Sequence, residues 1–313
     1  MQITRNHSFD AARGLAMLII ISWHTLGVHN MITDPWVMPI FFFIVGYFWK
    51  ENIQFKPFVT HKLNKLIKPL IYFSIPSFFI LLTKVIISQD YHPLIKLLSP
   101  YDSIIVGGWF IPCIIMSYIC YWIVDFIIKN KNEFRWIIVI VFSTIGYMLD
   151  EIHIGHHRII LPFYTNTALF VMIFIELGRN FKSIQTRYFT TCLYSIKTLI
   201  ISTILFIISL VLFNSKPLDF IWSDYQGAYW IVIVLEATLS IITLLSLFSF
   251  FKRISLLEYF GRQSLGILLL HGYIIDILIL IGFEHNIYLY IVTIILTYWG
   301  VKLIQYFIPK ILP

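Results

Sequence analysis

The chain has 313 residues, of which 59% are hydrophobic, 18% aromatic and only 12% charged, and its mean hydropathy is +0.83. A water-soluble domain of this size has no place to hide so much apolar surface, so the composition excludes one and indicates a polytopic membrane protein. The formal net charge of +7 calls for no nucleic acid, because the cations gather in segments that flank apolar runs.

Those runs are 16 to 25 residues long. They are too long and too evenly spaced to be strands of a transmembrane barrel, and they predict an all-α bundle of about ten transmembrane helices. In chain order the predicted spans are 12 to 29, 35 to 49, 69 to 88, 106 to 128, 134 to 149, 160 to 178, 192 to 213, 228 to 250, 263 to 283 and 286 to 308. The first span lacks a small-residue cleavage site and is expected to stay in the protein. With the amino terminus in the cytoplasm, seventeen lysines and arginines fall on inner segments, while the outer loops hold only Lys96, Arg158 and Lys216. Both termini are therefore expected on the cytoplasmic side, and residues 1 to 313 read as one membrane domain without repeats or linkers.

The first span carries Arg13 and His24 with no other ionisable residue between them. Eleven helical steps of about 100° bring the second almost back to the azimuth of the first, and a rise of about 1.5 Å per residue sets them about 16 Å apart. An imidazole is thereby placed near the bilayer midplane on the face that carries a guanidinium at the membrane edge. Asp10 is positioned to cap this helix and hold Arg13. Between the second and third spans, Lys62, Lys65 and Lys68 recur every third residue before Pro69 and form a slowly drifting cationic stripe. Two readings stay open: the lysines anchor to membrane lipid headgroups, or they hold the phosphates of a cytoplasmic nucleotide-bearing substrate.

Further along, Asp125 and Asp276 near helix ends read as solvated or lysine-paired. Glu176 near an inner helix end reads as paired or snorkelling. Glu236 is deeper, placed to orient a histidine or bind a sugar hydroxyl. His271 follows Arg262 by nine residues, about 13 Å of helix, and so reaches the depth of His24. Imidazole suits proton transfer near neutral pH, and a general base is the functional role that two midplane histidines suggest. Trp109, Trp222, Tyr229 and Trp230 form what resembles an interfacial belt, although aromatic faces also stack on sugars. His153, His156 and His157 match no ligand spacing, and no metal is predicted. Cys113, Cys120 and Cys192 pack as small apolar side chains and imply no disulfide.

Taken together, FDAARGLAMLIIISWH, MPIFFFIVGYFWK, KLNKLIKPL, GGWFIP and FGRQSLGILLLH resemble, in order and spacing, the motifs of the acyltransferase 3 family of membrane O-acyltransferases. LPFYTNTALFVMIFIELG resembles the fucose acetylase-like branch within it. The resemblance implies that His24 is the catalytic base, that Arg13 supports the active site or the acyl donor, and that Lys62 and Lys65, with Lys68 beside them, contact the phosphates of acetyl-coenzyme A or another acyl-CoA. Two departures stand out: lysines replace the usual arginines of the basic motif, and Val45 stands where a serine commonly precedes Gly46.

The expected activity is transfer of an acyl group, in the cytoplasmic membrane, to a hydroxyl of a surface polysaccharide or lipid-linked glycan. His271, Ser264 and Tyr164 are candidates for stabilising an oxyanion or positioning the sugar, with Trp109, Asn166 and Glu236 as further sugar contacts. A proton-coupled transporter is the rival reading, since ten helices and midplane ionisable groups suit one equally. The absence of paired half-sequences counts against it.

Overall fold

The computed structural model describes residues 7–88, 109–129, 132–151, 153–154, 157–158, 161–187, 195–213, 229–251, 253–309 and 311. Helices α1 (His7–Leu26), α2 (Asp34–Val37), α3 (Pro39–Tyr47), α4 (Phe55–Phe58), α5 (Asn64–Ser88), α6 (Phe110–Ile128), α7 (Asn132–Glu151) and α8 (Thr165–Arg187) are followed by α9 (Ile196–Leu212), α10 (Trp230–Ser249), α11 (Ser255–Arg262), α12 (Ser264–Leu280) and α13 (Ile287–Phe307). The fold is all-α apart from a minimal antiparallel pairing of His153–Ile154 with His157–Arg158.

Each predicted apolar segment overlaps a helix. Among the described residues, α6, the stretch Asn132–Asp150 of α7, α10 and α13 are long and apolar enough to cross a membrane, and α11 with α12 makes a fifth span if the bent pair is counted as one. Polarity is inverted relative to a soluble bundle. Helix α9 turns Ile200, Ile201, Ile204, Leu205 and Ile208 outward and buries Ser202, Phe206 and Ser209. Thr243 of α10 donates to the Ser202 hydroxyl at 2.9 Å across that seam, as expected where lipid is no less apolar than leucine and helices associate through small and hydroxyl-bearing residues.

Four departures from continuous helix shape the interior. Helix α1 stops at Gly27, whose φ of +64° is the left-handed cap that glycine adopts without penalty; its N–H bonds the Trp23 carbonyl at 3.1 Å. The span expected at 35 to 49 is broken between α2 and α3, each with a proline in its first turn, because Pro39 has no N–H to continue the ladder. A π-helical turn, Val59–Leu63, joins α4 to α5. Finally, α11 and α12 meet at 84° around Gln263.

Two crossings bring backbones into direct contact. A Cβ on Gly14 would lie 1.9 Å from the Leu257 carbonyl oxygen of α11, and one on Gly261 1.8 Å from that of Asp10 in α1. The same reciprocity joins α3 to α8: a Cβ on Gly46 would meet the Ile175 oxygen at 1.8 Å, and one on Gly178 the Phe43 oxygen at 1.9 Å. Glu258 strengthens the first crossing. It is fully buried on α11, lies 2.9 Å from His7 Nδ1 of α1, and accepts from the Ile254 N–H at 3.0 Å.

Candidate active site

A cavity of about 250 Å³ opens between α1, α3, the π-helical turn with α5, α6 and α12. Its walls are mostly apolar, with Met17, Phe41, Ile44, Phe110, Ile114 and Leu268 among the contributors, and its polar groups are Arg13, Lys62, Tyr118 and Ser264. Residues 13 and 17 on α1, and 264 and 268 on α12, are each one turn apart on a single helix face. The cavity therefore runs along both helices instead of crossing them.

Arg13 is held from below. Its Nη2 donates to Asp10 Oδ1 at 2.6 Å, as the spacing of three predicts, while its Nε is buried without a hydrogen-bond partner among the described residues. Ser264 opens α12 immediately after the bend. That helix start has no side-chain cap, so its first N–H groups add partial positive charge beside the guanidinium. Lys62 Nζ lies 5.7 Å from the Trp49 ring centre and 5.9 Å from that of Tyr118, within cation–π range. Burial pushes the Lys62 ammonium below the ordinary lysine range, and repulsion from Lys65, Lys50 and Lys182 adds to this. A bound anion relieves both effects, so this mouth of the cavity favours negative charge.

The cationic stripe predicted for Lys62, Lys65 and Lys68 is not a single face. Lys62 is half-buried and lines the cavity, whereas Lys65 and Lys68 are exposed. The π-helical turn at Val59–Leu63 adds a residue to one turn and rotates Lys62 away from its neighbours on α5. Lys50 and Lys182, brought in from other segments, complete the cationic field around it.

The two histidines meet. Ring centres of His24 and His271 are 5.2 Å apart with an interplanar angle of 47°. His271 is buried, and its Nδ1 lies 3.0 Å from the Ile267 carbonyl oxygen. That contact assigns the proton to Nδ1 and leaves Nε2 as an acceptor, and Nε2 has no partner among the described residues. Neither histidine lines the cavity. His24 follows Met17 by seven residues on α1 and His271 follows Leu268 by three on α12, which places the pair beyond the cavity on the faces that line it.

The other expected site residues lie elsewhere. Trp109 is buried against Phe110 and Tyr164, at 5.7 and 5.9 Å between ring centres. Tyr164 stands in a short turn, Pro162–Tyr164, with φ of 57°. The Asn166 amide serves the fold, donating to Asp150 and accepting the Leu161 N–H at 3.3 Å. Glu236 is buried on α10, a helix that packs against α1. Trp222, His156 and Cys192 lie outside the described residues, as do the side chains of His153 and His157. Among the described residues no group of three His, Cys, Asp or Glu is arranged to hold a metal ion.

One buried centre was not expected. Asp125, read from sequence as solvated or lysine-paired, is buried instead and pairs with Arg135 at 3.0 Å. It also accepts from Trp49 Nε1 at 3.2 Å and from the Asn52 N–H at 3.1 Å. Arg135, counted as an inner-loop cation, is one of the largest fully buried side chains. Glu176 is paired, with Arg135 at 3.4 Å and Arg179 at 3.5 Å, and it accepts from Tyr121 and from Asn180 Nδ2. Arg179 reaches Glu51 at 2.9 Å. The signal available in sequence was a basic residue near one helix end and acidic residues near two others; their meeting depends on how α6, α7 and α8 pack. Because Trp49 lies beside Lys62, the network braces one wall of the cavity mouth.

No curated protein and no solved structure matches the chain. The acyltransferase domain model of acyltransferase 3 matches residues 6–305, a stretch that contains Arg13, His24, Lys62, Ser264 and His271 together with every helix that forms the cavity, and on that basis the chain belongs to the acyltransferase 3 family.

Proposed function

We propose that this membrane acyltransferase is an O-acyltransferase of the cytoplasmic membrane with ten spans and both termini in the cytoplasm, moving an acyl group from acyl-CoA to a hydroxyl of a surface or lipid-linked glycan. The observation that carries the reading is that one cavity joins Arg13, Lys62 and the uncapped start of α12, three sources of positive charge far apart in sequence. A volume of about 250 Å³ accommodates a slender apolar arm and is below the usual size of a site for a drug-sized molecule. The nucleotide of the donor accordingly stays at the lysine surface, with its phosphates at Lys62, Lys65 and Arg13, and the pantetheine arm enters the cavity. Acetyl-CoA is the simplest such donor.

The thioester would be carried along α1 toward His24, about 16 Å beyond Arg13. There the imidazole of His24 accepts the proton of the sugar hydroxyl as its oxygen attacks the thioester carbonyl carbon. The carbon–sulfur bond breaks, and the thiolate of coenzyme A takes the proton back from His24. His271, with its tautomer set by the Ile267 carbonyl, orients its partner's ring and excludes water from it. Transfer through an acetyl-histidine at residue 24 uses the same groups in two steps. Mass spectrometry of the surface glycan tests this reading, with cells carrying the chain compared against cells carrying His24→Ala at equal membrane abundance. The ester is expected to disappear; an ester retained on the glycan rejects His24 as the base.

A further inference from the structure

Helix α3 lends the cavity Phe41, Ile44 and Val45, and Phe48, directly after the helix, continues the same wall, since steps of three, four and seven residues fall on one helix face. Exposure changes along that wall. Phe41 and Ile44 are buried, whereas Phe48 is 37% exposed. It stands at the cationic end. The ring centre of the next residue, Trp49, is 5.7 Å from Lys62 Nζ, and Lys50 follows, near enough for its charge to repel that of Lys62. Of the four aromatic residues that line the cavity, Phe48 is the one exposed to its surroundings. Phe110 is buried like Phe41, and Tyr118 is occupied by Trp49, stacked at 5.9 Å and 25°, and by the Lys62 ammonium.

The neighbours of Phe48 hold its ring without lying flat on it. Phe9 and Tyr47 meet it edge to face, with ring centres 5.9 and 5.1 Å away and interplanar angles of 65° and 78°. A lipid anchor at the membrane surface accounts for an exposed phenyl ring, but not for one that continues the wall of a cavity also lined by Arg13 and Lys62. A ligand suited to this place offers anionic oxygens to the cations and a flat face to the ring at once. A free phosphate has no such face, and the chains of a phospholipid are not planar. A nucleotide combines the two, its base separated from its phosphates by one sugar, and bases stack on aromatic side chains.

We infer that Phe48 is the platform on which the adenine of coenzyme A stacks, outside the cavity mouth, while Lys62 and Arg13 hold the phosphates and the pantetheine arm enters. This rests on the donor reading above and deepens it: the protein recognises the nucleotide end of its donor through a π-face as well as through charge. A thioester presented without adenine then gives up that part of its affinity.

The test is equilibrium binding by titration calorimetry on the full chain in detergent micelles, with coenzyme A and with 4′-phosphopantetheine, which keeps the arm and one phosphate and lacks the adenylate. Phe48→Leu, which keeps apolar bulk and removes the π-face, is expected to raise the Kd for coenzyme A about tenfold and to leave that for 4′-phosphopantetheine within about twofold, whereas Phe48→Tyr keeps the wild-type preference. Should Phe48→Leu fail to elute as a folded species, Phe48→Met takes its place under the same criterion. Equal weakening of both ligands overturns the platform, because it makes Phe48 a part of the entrance and not a base contact, and so does a coenzyme A affinity that the substitution leaves unchanged. A wild-type protein that binds the two ligands equally also overturns it, and leaves the acyl-CoA donor standing; one that binds neither overturns the donor reading beneath it.

Discussion

The buried polar groups fall into two regions that are treated oppositely. Where α6, α7 and α8 meet, Asp125, Arg135, Glu176 and Arg179 are surrounded by partners, and only Arg135 Nε, 3.4 Å from Glu176 Oε2, falls short of a hydrogen bond. On and beside α1, by contrast, Arg13 Nε, Trp23 Nε1 and His271 Nε2 of α12 are buried with none among the described residues; Asp34 Oδ2 lacks a hydrogen bond but, like Arg135 Nε, stands 3.4 Å from an ion-pair partner, His29 Nδ1, and the other such atoms are hydroxyls. A charge network inside a bundle is tolerable only when nearly every member is satisfied. The satisfied region holds the fold, and the unsatisfied one lies where the transferase reading places the chemistry.

That contrast can be broken by exchanging losses of stability for losses of activity. The largest effect is expected from Arg135→Met, which strands Asp125 as a buried anion without a cation and leaves Glu176 with Arg179 alone. Removing one partner of a buried ion pair costs about 3–5 kcal/mol, enough to abolish a folded peak in detergent or to lower the melting temperature sharply. His24→Ala should act the other way, lowering transfer by about 10²- to 10⁴-fold, the usual worth of a general base, with a melting temperature close to wild type. A His24→Ala protein that unfolds as Arg135→Met does would erase the distinction. Next, Lys62→Ala is expected to raise the acyl-CoA KM about tenfold with little change in kcat, since it removes phosphate binding and not chemistry.

The smallest effect is on pH dependence. Burial holds the Lys62 ammonium below the ordinary lysine range, so the charge needed for phosphate is lost on raising the pH earlier than an exposed lysine would lose it. Bound phosphate stabilises the ammonium, so binding takes up protons and the acyl-CoA KM rises toward alkaline pH. Lys62→Arg, whose guanidinium stays charged, should flatten that rise. An equal rise in both proteins would separate it from residue 62.

Much of the site was legible because membranes make ionisable residues conspicuous. No ionisable residue separates Arg13 from His24 in the apolar part of α1, their spacing fixes a shared face, and His271 is read at matching depth by the same rise per residue. What escaped the sequence depends on contacts between distant segments or on local breaks in helical period. The burial of Asp125 needs Arg135 from the next helix and Trp49 from 76 residues away. The rotation of Lys62 away from Lys65 and Lys68 needs a π-helical turn that no residue type announces. The break before Pro39 divided a segment read as one span, and the proline carried a visible signal; the bend at Gln263 falls at the predicted start of the span 263 to 283, and the helix before it, Ser255–Arg262, was not expected. Asn166 was expected to face a sugar; its short side chain is instead taken up by Asp150 and the Leu161 backbone.

The glycine crossings limit how such an enzyme can breathe. With Gly14 and Gly261 pressing main chain on main chain, and Glu258 holding His7 across the same junction, α1 and α11 are obliged to travel together, and α3 is locked to α8 in the same manner. Among the cavity walls, the π-helical turn bearing Lys62 has no such clasp. An under-wound segment of this kind has an alternative hydrogen-bond register, and its relaxation to ordinary helix would turn Lys62 relative to the helices that carry the histidines.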